Sequence, residues 1–91
     1  MPKFVIERDI AGLGTWSAGA LQAASQKSCA VLSDLGPDVQ WVHSYVTQDK
    51  MYCVYHALNA DLVREHARRG GFPADRVARV VAVIDPSTAE V

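Results

Sequence analysis

Histidines and acidic residues are the side chains of this sequence with the most evident chemistry. Two of the three histidines lie on the stretches VQWVHSYVT and MYCVYHAL, which a short polar break at 48–50 separates. Imidazole and carboxylate groups are good ligands for divalent nickel, copper and zinc. The sequence therefore offers one candidate metal site. Its candidate ligands are His43, His56 and, from the first predicted strand, Glu7; Asp9 and His66 are the further candidates.

The two stretches that carry His43 and His56 are rich in β-branched and aromatic residues and predict a β-hairpin. Alternate residues of a strand face opposite sides. A loop of two or four residues would then place both histidines on one face. As direct cross-strand neighbours they would have Cβ atoms about 4.5–5.5 Å apart, close enough to share an ion. A three-residue loop with a bulge would move the side chains to the other face.

The order of the predicted elements is strand, helix, strand, strand, helix, strand. They cover residues 3–10, a helix from 15 or 17 to 35, the hairpin at 39–58, a helix at 60–69 and a strand at 77–85. This order predicts an α+β, ferredoxin-like βαββαβ fold, with two helices on one face of a four-stranded antiparallel sheet. We expect residues 1–91 to form one such domain.

The other face of this sheet would be left open. On the face assignment above it carries aromatic and aliphatic side chains, and apolar patches beyond a few hundred Å² usually mark an interface. We therefore expect a homodimer that packs sheet against sheet. The predicted interface residues are Trp41, Tyr45, Tyr52 and Val54.

Composition excludes several classes of partner. Nine basic and ten acidic residues give no broad positive field of the kind that attracts nucleic acid. No apolar run reaches the roughly 18–20 residues of a membrane span, and the start of the chain lacks a signal-peptide pattern. We expect a cytoplasmic protein. Cys29 and Cys53 show no CxxC spacing and are predicted to be reduced thiols packed in the core.

Each candidate site has a structural alternative. From the residues alone, His43 and His56 are better explained as interface histidines that are hydrogen-bonded to Tyr or Glu. His66 lies in REHARRGG, which suits either an anion site or a solvated helix face with complementary charges. The sequence contains no nucleophile elbow and no phosphate-binding loop, so catalysis is not favoured.

Several segments resemble a family of small bacterial proteins that was long described as a domain of unknown function. They are MPKFVIERDI, QKSCAVL, WVHSYVT with KMYCVYHA, and REHARRGGFPADRV before VIDP. The characterised actinobacterial member of that family is a nickel-binding, ferredoxin-like homodimer. The resemblance implies nickel binding for sequestration or tolerance, with no established catalytic activity.

The expected function is therefore nickel binding by a homodimer. The alternative is a small dimeric monooxygenase- or isomerase-like enzyme with an organic substrate between sheet and helices. A solvent-reachable pocket of several hundred Å³ would favour that alternative. A third class is an interaction module that binds an anionic partner through Arg64, Arg68 and Arg69.

Overall fold

Four strands and two helices follow the order expected from the sequence. The computed structural model describes residues 1–90, and its main elements are β1 (Lys3–Asp9), α1 (Ala18–Leu35), β2 (Val39–Val46), β3 (Lys50–Ala57), α2 (Ala60–Gly70) and β4 (Arg76–Arg79). Short 3-10 turns lie at Leu13–Thr15 and Pro86–Ala89. The strands form one antiparallel sheet in the order β2-β3-β1-β4. The α+β, ferredoxin-like prediction is thus confirmed.

Side-chain caps set where both helices begin. The Ser17 hydroxyl accepts a hydrogen bond from the Ala20 amide at 3.1 Å, and Asn59 Oδ1 accepts one from the Leu62 amide at 3.0 Å. Such caps satisfy amide groups that have no partner inside the helix. α1 ends at Leu35, and the capping residue Gly36 has a φ of 87°, which glycine adopts readily. Both helices therefore start where their capping residues predict. None of the helices in the described chain has both the length and the apolar character that crossing a bilayer requires.

The core lies between the helices and one face of the sheet. In β1, alternation buries Phe4, Ile6 and Arg8, while Val5 and Glu7 face the other side. Cys53, Tyr55 and Ala57 continue this buried face on β3, and Val63 of α2 packs against it. The predicted period of two therefore holds along both central strands.

The predicted face of Trp41 is wrong. The turn has two residues between Thr47 and Lys50, but the register shifts between Trp41 and His43, where Val42 forms a bulge. An extra residue reverses the side-chain alternation on one side of a bulge. Trp41 consequently lies opposite Tyr55 on the helix side, partly buried against the core, and its indole Nε1 donates to Ser44 Oγ at 2.9 Å. It does not belong to the open face.

The last strand is shorter than the predicted 77–85. The Val80 amide still donates to the Lys3 carbonyl at 2.8 Å, but regular pairing stops at Arg79. β4 pairs only with β1, and β1 begins at Lys3, so the backbone beyond Val80 has no strand beside it. Apolar composition alone does not make a strand without a neighbour. Val81, Val83 and Ile84 are accordingly exposed.

The two cysteines differ in their surroundings. Cys53 is buried in the sheet, as expected, whereas Cys29 is exposed on α1 and the prediction of a core position is wrong for it. Ser28 is the buried residue of this helical turn. The next residue lies about 100° further around the helix, which turns Cys29 toward solvent.

Candidate functional site

Both candidate hairpin histidines lie on the sheet face away from the helices. His43 pairs with Val54, and its ring packs edge-on against Tyr45 with centroids 5.0 Å apart. His56 pairs with Gln40 on one side and Lys3 on the other. The two histidines are thus diagonal neighbours and not the direct cross-strand pair that the sequence analysis considered. Diagonal neighbours lie about 7–8 Å apart, a distance that long and aromatic side chains still span.

Glu7 shares the open face but not the position of His56. Glu7 pairs with Tyr52, whereas His56 pairs with Lys3, which is four residues away along β1. About 13 Å of strand therefore separates Glu7 from the position of His56. Its carboxylate contacts Lys50 Nζ at 2.6 Å, and this hydrogen bond lowers the pKa of Glu7. Asp9 lies 3.6 Å from the same ammonium group. In residues 1–90, no group of three His, Cys, Asp or Glu side chains is close enough to hold one ion.

His66 lies in the interior, on the other side of the sheet from His43 and His56. It is fully buried, its Nε2 is 3.0 Å from Ser28 Oγ, and its ring packs between Tyr55 and Phe72. Burial, followed by the positive charge of Arg8, lowers the pKa of His66 to about 4. At neutral pH the ring is therefore uncharged.

The basic end of α2 forms ion pairs within its own helix. Arg68 and Arg69 both bind the Glu65 carboxylate, and Arg64 lies 3.5 Å from Asp61. These hydrogen bonds lower the pKa of Glu65 to about 2. The arrangement is that of a solvated helix face with complementary charges, as the structural alternative for this segment expects.

A cavity of about 300 Å³ opens between the first half of α1 and the sheet. Its walls are mostly apolar and include Trp16, Leu21, Trp41, Met51 and Phe72. The loop that carries Trp16 is held to the hairpin turn, because the Gly14 amide donates to the Gln48 carbonyl at 2.8 Å. The volume is at the lower end of the range for ligand pockets. This is the feature that would favour a small-molecule ligand between sheet and helix.

Arg8 is the charged residue that lines this cavity, and it is 2% exposed. Its guanidinium donates to Cys53 Sγ at 3.5 Å, to the Pro73 carbonyl and to the Tyr55 hydroxyl at 3.3 Å. Arg8 was not among the site residues predicted from the sequence. The sequence could have indicated its burial, because alternate residues of a strand share a face. Arg8 follows Phe4 and Ile6 at a spacing of two and so lies on the buried face.

A family model described as "Nickel responsive protein SCO4226-like" matches residues 4–80. The chain belongs to this family. The name of the family indicates nickel responsiveness and supports a metal-related role. Except for Lys3, the matched residues contain all six main elements, and they include both histidines of the open face. The exposed segment after Val80 lies outside the match.

The fold of this family member is also similar to that in the crystal structure of SCO4226 from Streptomyces coelicolor A3(2). The sequences are 21% identical, the TM-score is 0.76, and the match covers 90% of this chain and 99% of that one. At this identity the likeness shows the fold. A search of curated proteins gave no match.

Proposed function

We propose that this protein binds nickel as a homodimer and takes part in nickel sequestration or homeostasis. The observation that carries the proposal is the position of His43 and His56, diagonal neighbours on the uncovered sheet face of a nickel-responsive family member. Neutral imidazole nitrogen is a good ligand for Ni²⁺. Two imidazoles in reach of each other are the strongest pair of donors on this face.

A second copy of the chain would complete the ligand set. Two histidines leave coordination positions empty, and no third donor of the same described chain lies beside them. Glu7 and Asp9 are on the same open face, and their side chains carry oxygen ligands that a partner sheet could bring to the histidines. His66 is the weakest of the candidate ligands, because its ring is enclosed by the core.

The open face also supports the homodimer. Tyr45 is 60% exposed there, beside Tyr52 and Val54, and Val81 in the segment after β4 is 96% exposed. Burying such apolar area contributes roughly 25 cal/mol per Å². With Trp41 assigned to the helix side, the proposed interface consists of Tyr45, Tyr52, Val54 and the exposed side chains of the segment after Val80.

Calorimetric titration of tag-free protein with Ni²⁺ at pH 7.5 tests the metal site. His43→Ala should remove most of the affinity, and adding His56→Ala should cost little more, because a site without one ligand has little affinity left to lose. Gln40→Ala, beside His56 on the same face, is the matched control and should bind like wild type. Equal nickel binding by wild type and the double histidine variant would reject the proposed ligands.

Sedimentation of the same samples tests the assembly. We expect a dimer at micromolar concentration, and Tyr45→Glu should dissociate it, because the substitution places an unpaired charge in the proposed interface. A wild-type monomer in the presence of nickel would contradict the homodimer.

A further inference from the structure

We propose that the cavity between α1 and the sheet binds a small organic monocarboxylate with an apolar body, and that Arg8 pairs with the carboxylate. This site is on the opposite side of the sheet from the histidines. The inference goes beyond the nickel proposal and depends on neither the metal nor the dimer. It assigns binding and no reaction.

The charge of Arg8 is the first argument. The side chain is almost fully buried, yet no carboxylate lies within 4 Å of its guanidinium in the described part of the chain. Its three hydrogen-bond acceptors are a thiol, a carbonyl and a hydroxyl, and its Cζ lies 5.5 Å from the centre of the Phe72 ring. All of these groups are neutral. A buried charge without a counter-ion is costly, and losing an ion-pair partner is usually strongly destabilising. An anion in the cavity would supply the missing charge.

The guanidinium also has donors left for such an anion. Arg carries five N–H groups, and the contacts above use three of them, one each on Nε, Nη1 and Nη2. One N–H on each terminal nitrogen is therefore free of a described protein partner. Charge-assisted hydrogen bonds of this kind are stronger than those between neutral groups.

The hydroxyl groups that line the cavity with Arg8 are neutral, and this indicates the class of anion. Tyr55 and Ser28 both line the cavity beside Arg8. Burial raises the pKa of Tyr55 above its ordinary value, so the phenol keeps its proton, and Ser28 is held by the uncharged ring of His66. The cavity lining thus carries a single positive charge. A monocarboxylate matches that charge, whereas a phosphate dianion would bury a second, uncompensated negative charge.

The lining residues and the volume of the cavity indicate the size and polarity of the rest of the ligand. Trp16, Leu21, Met51 and Phe72 offer apolar and aromatic surface and few polar atoms. An apolar cavity of about 150 Å³ holds a benzene molecule, and this one has about 300 Å³. Trp16 and Val46, which are 39% and 43% exposed, are residues through which the cavity lining reaches the surface. The preferred ligand is an acid with one aromatic ring or a branched aliphatic chain.

Titration with matched pairs of acids and amides tests this site. The probes are phenylacetate, 1-naphthoate and 4-methylpentanoate, each beside its neutral amide, with EDTA present to remove metal. Binding is measured by calorimetry and by tryptophan fluorescence, since both tryptophans of the chain line the cavity. We expect at least one acid to bind at least tenfold more tightly than its amide.

Two variants test the charge of Arg8 and the volume of the cavity separately. Arg8→Met should abolish the preference for acid over amide, while Ala24→Leu should fill the cavity and remove binding of both with Arg8 still in place. Circular dichroism and thermal melting establish that each variant is folded. The proposal is overturned if no acid is preferred over its amide, or if Ala24→Leu binds the acids like wild type. Nickel binding measured on Ala24→Leu should be unchanged, so this test and that of the metal site can fail separately.

Discussion

The two helices cover the same face of the sheet in different ways. α2 buries Val63, His66, Ala67 and Gly70 within 11 residues, whereas the 18 residues of α1 bury only Ser28. At the end of α2 an added Cβ on Gly70 would lie 2.3 Å from the ring of Phe72, which packs back over the last turn of the helix. The first half of α1 instead stands over the cavity, and its second half reaches the core through Leu32 and Leu35.

This difference assigns separate roles to the two sides of the domain. Buried apolar area and close packing are the main favourable terms in folding, so the α2 side should provide most of the stability. The cavity under α1 lacks this close packing and so contributes less to stability, but it leaves room for a ligand. A substitution that adds volume should therefore destabilise the protein much more beneath α2 than beneath α1.

The same substitution in both helices gives the largest expected contrast. Ala67→Leu should lower the free energy of unfolding by about 1–3 kcal/mol, because it overpacks a site that is 2% exposed. Ala24→Leu should lower it by no more than about 0.5 kcal/mol, since the added methylene and methyl groups enter the cavity and bury apolar surface there. Urea denaturation of the two variants measures both values. Equal losses would mean that the α1 side is packed as tightly as the α2 side.

The fold could be predicted because its patterns are local. The alternation in β1, the polar break at 48–50 that predicts a hairpin, and the cap at Asn59 each act over a few residues and agree with one another. The bulge at Val42 could not be predicted, because no composition rule marks it, and it alone moved Trp41 to the helix side. The short β4 likewise depends on where its neighbour β1 begins, which is a tertiary fact.

The sites were predicted less completely, for a similar reason. Sequence pattern placed His43, His56 and Glu7 on one face, but strand register set them apart. The cavity depends on the distance between α1 and the sheet, and this distance cannot be predicted from the helical periodicity of the sequence. Arg8 was detectable from its phase with Ile6, yet its lack of a carboxylate partner requires the three-dimensional arrangement.

Acid should destabilise the α2 side through His66. The folded-state pKa is about 4, below the value of about 6.5 for a solvated imidazole, so the unfolded chain binds the proton first as pH falls. The stabilisation is fully present above about pH 6.5 and is lost progressively toward pH 4. Linkage gives a loss of about 2 kcal/mol at pH 5.

Urea denaturation between pH 7.5 and pH 5 measures this effect. His66→Phe removes the titrating group from the core and should flatten the pH dependence, even if the variant is less stable at every pH. His43→Ala is the matched control, because its ring lies on the open face, and it should keep the wild-type slope. A wild-type slope in His66→Phe would assign the acid sensitivity to other groups.

The smallest expected effect concerns the stability of α1 itself. Gly19 lies in its first turn, and an added Cβ there would meet nothing closer than Ser17 Oγ at 3.8 Å. Gly19→Ala should therefore stabilise the protein by about 0.5–1 kcal/mol, through the lower backbone entropy of the unfolded chain. Gly36→Ala at the other end of α1 is the control. It also has open space, but its φ of 87° is strained for alanine, so that variant should be less stable than wild type. Thermal melting compares the two.

Because neither substitution touches the cavity, both variants should keep the wild-type affinity for the acid probes. A change in that affinity with helix stability would mean that α1 moves when the cavity is filled.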